Sequence, residues 1–299
     1  MFNLIKMNFY RLFHQKSFYV MIAVAAFIGW FMVFMIWMAP RLEEKAQSAR
    51  NAREQASQTG EETGSNTGFH VGIMIGGSEE EDMPESEPRV VVFNVAEFLD
   101  EFFRSGFTMI LISVGAALIA NSERKRGFIK NLGGQMKPRG MLIVSKLPVI
   151  LFELIALYAA IILSFTLFGK IYYERFTAGN IPVMCKVVLV QLLLGLAFGA
   201  LVMLVCTAAR NAAAGIFAGI MVASGLFPYV YFFINRLATA YLGAPAGFDI
   251  SKCSLDYYLS CITSEAAGKD VATALIVGVA YLLLASAAGC LIMEKRDIG

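Results

Sequence analysis

Of 299 residues, 58% are hydrophobic and 16% are charged, against roughly 25% charged residues in an ordinary soluble domain. The formal net charge is +2 and the basic residues cluster locally, which argues against nucleic acid as a partner. The apolar residues gather in blocks of the length a helix needs to cross a hydrocarbon core, about 20 residues. Residues 1–17 come first, with Phe2, Ile5, Phe9, Leu12 and Phe13 on one helical face and Asn3, Lys6, Asn8, Arg11 and Gln15 largely on the other. That pattern predicts an interfacial amphipathic helix lying in the membrane plane; a plain extension of the first span is the alternative. The first span follows at 18–38, and its 21 apolar-rich positions exceed the core of a secretory signal, so it is expected to stay attached.

Residues 39–104 read as an acidic extracytoplasmic segment, since 40–104 carries six basic and fourteen acidic residues, including Glu79, Glu80, Glu81 and Asp82. Within it, 42–58 predicts a polar helix, 59–68 a linker and 89–95 a short strand. A mostly solvated loop and a small defined domain both fit, because few apolar residues are present to order it. The second span is predicted at 105–120, with Phe98, Leu99, Phe102 and Phe103 ahead of it at helical spacing. A basic loop then occupies 121–146, followed by spans at 143–168, 183–208 and 212–234. A second external segment covers 235–270, rich in aromatic residues such as Tyr241, Phe248, Tyr257 and Tyr258, and is expected to return partway toward the membrane. Cys253 and Cys261 fall there, as a disulfide in an oxidising compartment or as two free thiols. Cys185, Cys206 and Cys290 read as small core residues. The sixth span is 271–293, and 294–299 is a tail.

The fold class is thus all-α: a polytopic membrane protein of six transmembrane helices. A β-barrel lacks support because the blocks do not alternate apolar and polar residues, and helices are the remaining way to satisfy the backbone in lipid. Arg124, Lys125, Arg126, Lys130, Lys137, Arg139 and Lys146 against the single Glu123 mark 121–146 as cytoplasmic. An even number of spans then puts both termini on that side.

The usual catalytic chemistries are absent from the spans. The two histidines, His14 and His70, lie outside them, so neither a serine–histidine pair nor a histidine-held metal is available there. No phosphate-cradling G-x-x-x-x-G-K-[ST] loop occurs, and Leu132-Gly133-Gly134-Gln135 stands without a nucleotide-binding domain around it. Gly195 with Gly199, and Gly215 with Gly219, have the small-xxx-small spacing that lets helices approach closely. Val222-Ala223-Ser224-Gly225 reads the same way. The acid well inside a span is Glu153, five residues after Pro148; it reads either as a proton or substrate site or as a side chain snorkelling or bonded to a neighbouring helix. Gln191 is the second intramembrane polar candidate. In the basic loop, Phe128, Ile129, Leu132 and Met136 at helical spacing predict a short amphipathic helix for lipid or for a partner's groove.

Six spans, the amino-terminal helix, a large first external loop, Glu123-x-x-x-Gly127-x-x-Lys130-Asn131 with Pro138-Arg139 and Ser145-Lys146, and the ending Lys295-Arg296-Asp297 resemble type-2 ABC exporter permeases, especially the bacitracin- and lantibiotic-type branch. The resemblance implies that two six-span subunits pair, as identical copies or sister permeases, and that each docks a separate ATPase subunit. It implies a coupling helix over 128–136, with Arg126, Lys130 and Arg139 contacting the ATPase or lipid headgroups beside Phe128, Ile129, Leu132 and Met136. ATP and Mg would sit on the ATPase, with no cofactor on this chain and no catalytic residue in it. The expected cargo is a hydrophobic or amphipathic peptide, antibiotic or lipid-like compound. A membrane sensor or assembly factor acting through the external loop, and a secondary transporter driven by protons through Glu153, are the competing readings.

Overall fold

The computed structural model describes residues 2–58, 93–122, 140–241 and 249–295, and these are helical almost throughout. Helix α1 (Phe2–His14) is separated by Gln15 from α2 (Lys16–Gln58), a rod of 43 residues and about 64 Å at helical rise. Only Lys16–Leu42 is apolar enough to cross a membrane. The polar helix expected over 42–58 is therefore a continuation of the first apolar helix, with Pro40 inside it. Next come α3 (Val95–Arg104) and α4 (Phe107–Asn121), then a short α5 (Met141–Val144) leading into α6 (Leu147–Tyr172). Pro148 sits in the first turn of α6, where its missing N–H costs no helical bond. Helix α7 (Ile181–Ala209) ends at Arg210, in the left-handed region at φ 58°. The Asn211 side chain then caps α8 (Ala212–Ala223) by accepting from Ala213 N at 3.0 Å. After α9 (Leu226–Tyr241) come a 3-10 turn at Ile250–Cys253, α10 (Leu255–Cys261) and α11 (Gly268–Lys295).

Four of these units are long and apolar enough to span: Lys16–Leu42, Met141–Tyr172, Ile181–Ala209 and Gly268–Lys295. The second and fifth apolar blocks differ from the expected straight spans. Helices α3 and α4 meet at 64°, and α8 and α9 at 69°, so six is reached only by counting each bent pair as one. Gly106 and Gly225 explain the bends, with φ of 75° and 71°, a region glycine enters without a Cβ clash. Helix α4 has 15 residues and α8 has 12, about 22 and 18 Å, short of the roughly 30 Å hydrocarbon core. The strand expected over 89–95 is observed at β1 (Phe93–Asn94), which pairs in parallel with β2 (Phe176–Thr177). Residues 89–92 lie outside the described residues.

Helix α7 is the axis of the fold, packed by α11, α4, α8, α6 and α10. Leu194, Ala197 and Gln191 on it are fully buried. A second cluster joins α2, α3 and α6 through Ala25 and Val33 of the first, Phe102 and Phe103 of the second and Phe165 of the third, with Phe93 from the residues just ahead of α3. Both termini of the described chain lie at one end of the bundle. There the Asn8 amide donates to Ser145 Oγ at 3.1 Å, Lys146 Nζ donates to the Ala120 carbonyl at 3.2 Å, and the Cys290 thiol donates to the Gly140 carbonyl at 3.3 Å. The opposite end holds the β-pair, the end of the apolar part of α2 and the end of α6, where Trp37 and Tyr172 stand 5.1 Å apart.

Helix α1 departs from its expected faces. Its buried residues are Leu4, Asn8 and Leu12, a stripe at i, i+4 and i+8, whereas Phe2 and Phe13 are exposed. Asn8 was expected on the polar, outward side. It is buried instead because Ser145 supplies a partner for its amide.

Candidate functional site: paired helix breaks and a returning segment

The two breaks abut. A Cβ built on Gly106 would lie 2.7 Å from the Ala223 carbonyl oxygen, so the backbones touch where both helices turn. Helix α4 runs toward the terminal end and α8 away from it, which sets the electropositive start of α4 beside the electronegative end of α8. Beyond α8, Ser224 N donates to Ile220 O at 2.9 Å and Gly225 N to Val222 O at 3.3 Å. Thr108, in the first turn of α4, is buried and its hydroxyl has no partner among the described residues.

The small-residue stripes act as close-packing seams. Gly219 meets the Ser113 side chain of α4 and Gly215 meets the Cys206 thiol of α7. Gly195 and Gly199 receive Ile112 from α4 together with Tyr158 and Ile150 from α6. Spacing predicted close approach at these four glycines; the partners became legible only in three dimensions.

Glu153 is 4% exposed and faces Gly115 of α4. A Cβ at Gly115 would sit 2.7 Å from the Glu153 carboxyl carbon and closer still to Oε1, so the carboxyl occupies the space that the missing side chain leaves. No described residue hydrogen-bonds or ion-pairs with it. An acidic side chain left this way inside a span costs on the order of 3 kcal/mol on an insertion scale, and the neutral form is the less costly one.

Gln191 does a different job. Its Nε2 donates to the carbonyls of Leu259 at 3.1 Å and Ile262 at 3.4 Å, while Oε1 is buried with no partner among the described residues. The Tyr158 hydroxyl donates to the Gln191 backbone carbonyl at 3.3 Å. No hydrogen bond joins the Glu153 and Gln191 side chains: one seals α6 on α4, the other anchors α10 on α7. The anchored segment dips deep beside the spans. The Tyr281 hydroxyl, midway along α11, donates to the Cys253 carbonyl at 3.1 Å, and Leu255, Tyr258, Leu259 and Ile262 are buried in the core around α7. Asp100 of α3 accepts from Ser264 N at 2.8 Å, tying the same segment to the first bent pair.

Between α9 and this segment opens a cleft of about 420 Å³ carrying Tyr231, Asn235, Asp249, Ser251, Asp256 and Ser260. The Tyr231 hydroxyl donates to Asp256 at 2.9 Å, and the Ser254 hydroxyl bonds the same carboxylate. The Asn235 amide donates to Asp249 at 2.9 Å and its carbonyl accepts from Ile250 N at 3.0 Å. The Ser251 hydroxyl, then the Asn235 amide, hold the Asp249 carboxyl below its usual range. Sequence reasoning missed these residues, because Asp249 and Asp256 fall in a stretch that looks like an ordinary external loop. Tyr231 and Asn235, four apart at the end of an apolar block, were the available signal.

The residues expected to couple to an ATPase, Arg126, Phe128, Ile129, Lys130, Leu132, Met136 and Arg139, lie outside the described residues. Cys253 and Cys261 stand as exposed free thiols. Among the described residues no group of three histidine, cysteine or carboxylate side chains is placed to hold a metal. Comparison with known proteins returns no matching family model, no matching curated protein and no matching solved structure.

Proposed function

We propose that this chain is the membrane-spanning permease subunit of an ABC transporter, moving an amphipathic peptide, antibiotic or lipid-like compound with energy from a separate ATPase subunit. The observation that carries the reading is the meeting of two broken helices at Gly106 and Ala223 beside a segment that returns between the spans. Transporters build their movable sites from discontinuous helices because a break supplies both unpaired backbone groups and a joint. In this reading 121–146 and both termini face the cytoplasm, the loop carries a coupling helix over 128–136, and α1, fastened by Asn8 to Ser145, moves with it. Two permeases pair around the cargo, and ATP and Mg bind the partner ATPase.

The test is reconstitution of the full chain with its candidate ATPase. Disrupting 128–136 is expected to abolish substrate-stimulated ATP hydrolysis while membrane insertion persists; vectorial transport with no ATPase present would sink the proposal. A proton-coupled transporter is the second reading, favoured by the partnerless carboxyl of Glu153 against Gly115. In that case Glu153→Gln stops transport, whereas the ATP-driven permease keeps it.

A further inference from the structure

At the end of the bundle away from the termini, α2 and α6 leave their apolar stretches together and enclose a cleft of about 250 Å³ whose wall includes Trp37, Arg41, Tyr172, Tyr173, Glu174 and Arg175. The Arg41 guanidinium lies 3.7 Å over the Trp37 ring, a cation–π contact that leaves its N–H edge unused. Arg41 and Arg175 are both exposed, and neither guanidinium bonds or ion-pairs with a described residue. Tyr173 is 9% exposed, its hydroxyl has no partner among the described residues, and burial pushes that hydroxyl up to about 12, so it remains a hydrogen-bond donor. Glu174 is the opposing charge, leaving two cations to one anion.

Depth decides what such a cleft meets. The apolar part of α2 ends at Leu42 and that of α6 at Tyr172, so the guanidiniums sit at the level where a bilayer changes from acyl chains to headgroups. Trp and Tyr prefer that level, and guanidinium groups bind phosphate through paired N–H donors. Ile36 and Pro40, the remaining wall, offer an apolar surface to the acyl side. We infer that this cleft is a binding site for the phosphate of an anionic phospholipid headgroup, held by Arg41 and Arg175 with the aromatic residues as its collar. The inference rests on the membrane reading of these helices and is independent of what the protein transports.

Trp30 and Trp37 are the two tryptophans of the chain, so a Trp30→Phe background makes Trp37 the reporter. The detergent-solubilised full chain is titrated with short-chain phosphatidylglycerol, with the matching phosphatidylcholine and with inorganic phosphate. The expected result is a saturable change in Trp37 emission with phosphatidylglycerol, at least tenfold weaker with phosphatidylcholine, and lost in Arg41→Gln with Arg175→Gln. Absence of a saturable change, or equal binding by the double variant, overturns the site. Inorganic phosphate binding as tightly as the lipid overturns the lipid assignment. So does a tenfold gain in lipid affinity when Glu79, Glu80, Glu81 and Asp82 are made neutral amides, since the chain's own acidic run would then be the occupant. Because this readout needs neither ATPase nor cargo, it can fail while the transport proposal stands, and the reverse.

Discussion

Gly106 and Ala223 touch backbone to backbone at the bends of two different helix pairs, with only 2.7 Å between a Cβ position on the first and the carbonyl oxygen of the second. The two bends therefore form one joint, and neither helix can straighten without displacing the other. A side chain at Gly106 meets two obstacles, the left-handed φ of 75° and the Ala223 carbonyl. Gly106→Ala is expected to destabilise by about 1–3 kcal/mol, read as a lowered thermal midpoint of the purified protein. Gly225→Ala meets only the φ cost, since nothing lies within 4 Å of its Cβ position, so it should be milder. Equal effects of the two substitutions would mean that the contact contributes nothing.

The Glu153 contact predicts an asymmetric pair of variants. With no partner to lose among the described residues, Glu153→Gln should leave the thermal midpoint unchanged or raise it, because an uncharged amide of the same size takes the place of the carboxyl in a buried site. Gly115→Ala overfills the same space and should cost about 1–3 kcal/mol. A marked loss of stability in Glu153→Gln would reveal a partner for the carboxylate outside the described residues.

Gln191 ties α10 to the central helix by two hydrogen bonds. Gln191→Leu keeps the volume and removes both donors, leaving the Leu259 and Ile262 carbonyls unpaired at a cost of about 1–3 kcal/mol each. Amide exchange should accelerate across Leu255–Cys261 before it does in α7. Uniform acceleration through the bundle would contradict a local anchor.

The turn at Asp249 carries a pH prediction. Its carboxyl is held below the usual range of about 3.9 by hydrogen bonds from Ser251 and Asn235. A lowered folded value means that its contribution is fully present above the unfolded value and is lost as pH falls through the folded one. Protection of the Ile250 and Ser251 amides should therefore hold down to about pH 4 and fail below it. Asp249→Asn should remove that dependence and raise exchange several-fold at neutral pH.

Much of the bundle was legible because burial in lipid imposes long apolar runs, and 143–168 and 183–208 coincide closely with α6 and α7. The breaks were not, since a glycine inside an apolar run reads equally as a packing residue; what sets Gly106 and Gly225 apart as breaks is a positive φ, which neighbours determine. Asn8 shows the same limit on a smaller scale, its polar side chain being buried by a partner 137 positions away. Glu153 stood out in the sequence as a charge within a span, while Asp249 and Asp256 were hidden among residues that water would equally tolerate.

The most direct measurement is substrate movement into proteoliposomes containing the full chain, with and without the candidate ATPase and ATP. Transport is expected only when chain, ATPase and hydrolysable ATP are present together, and is expected to be lost when 128–136 is disrupted. Transport by the chain alone, driven by a proton gradient and stopped by Glu153→Gln, would contradict it.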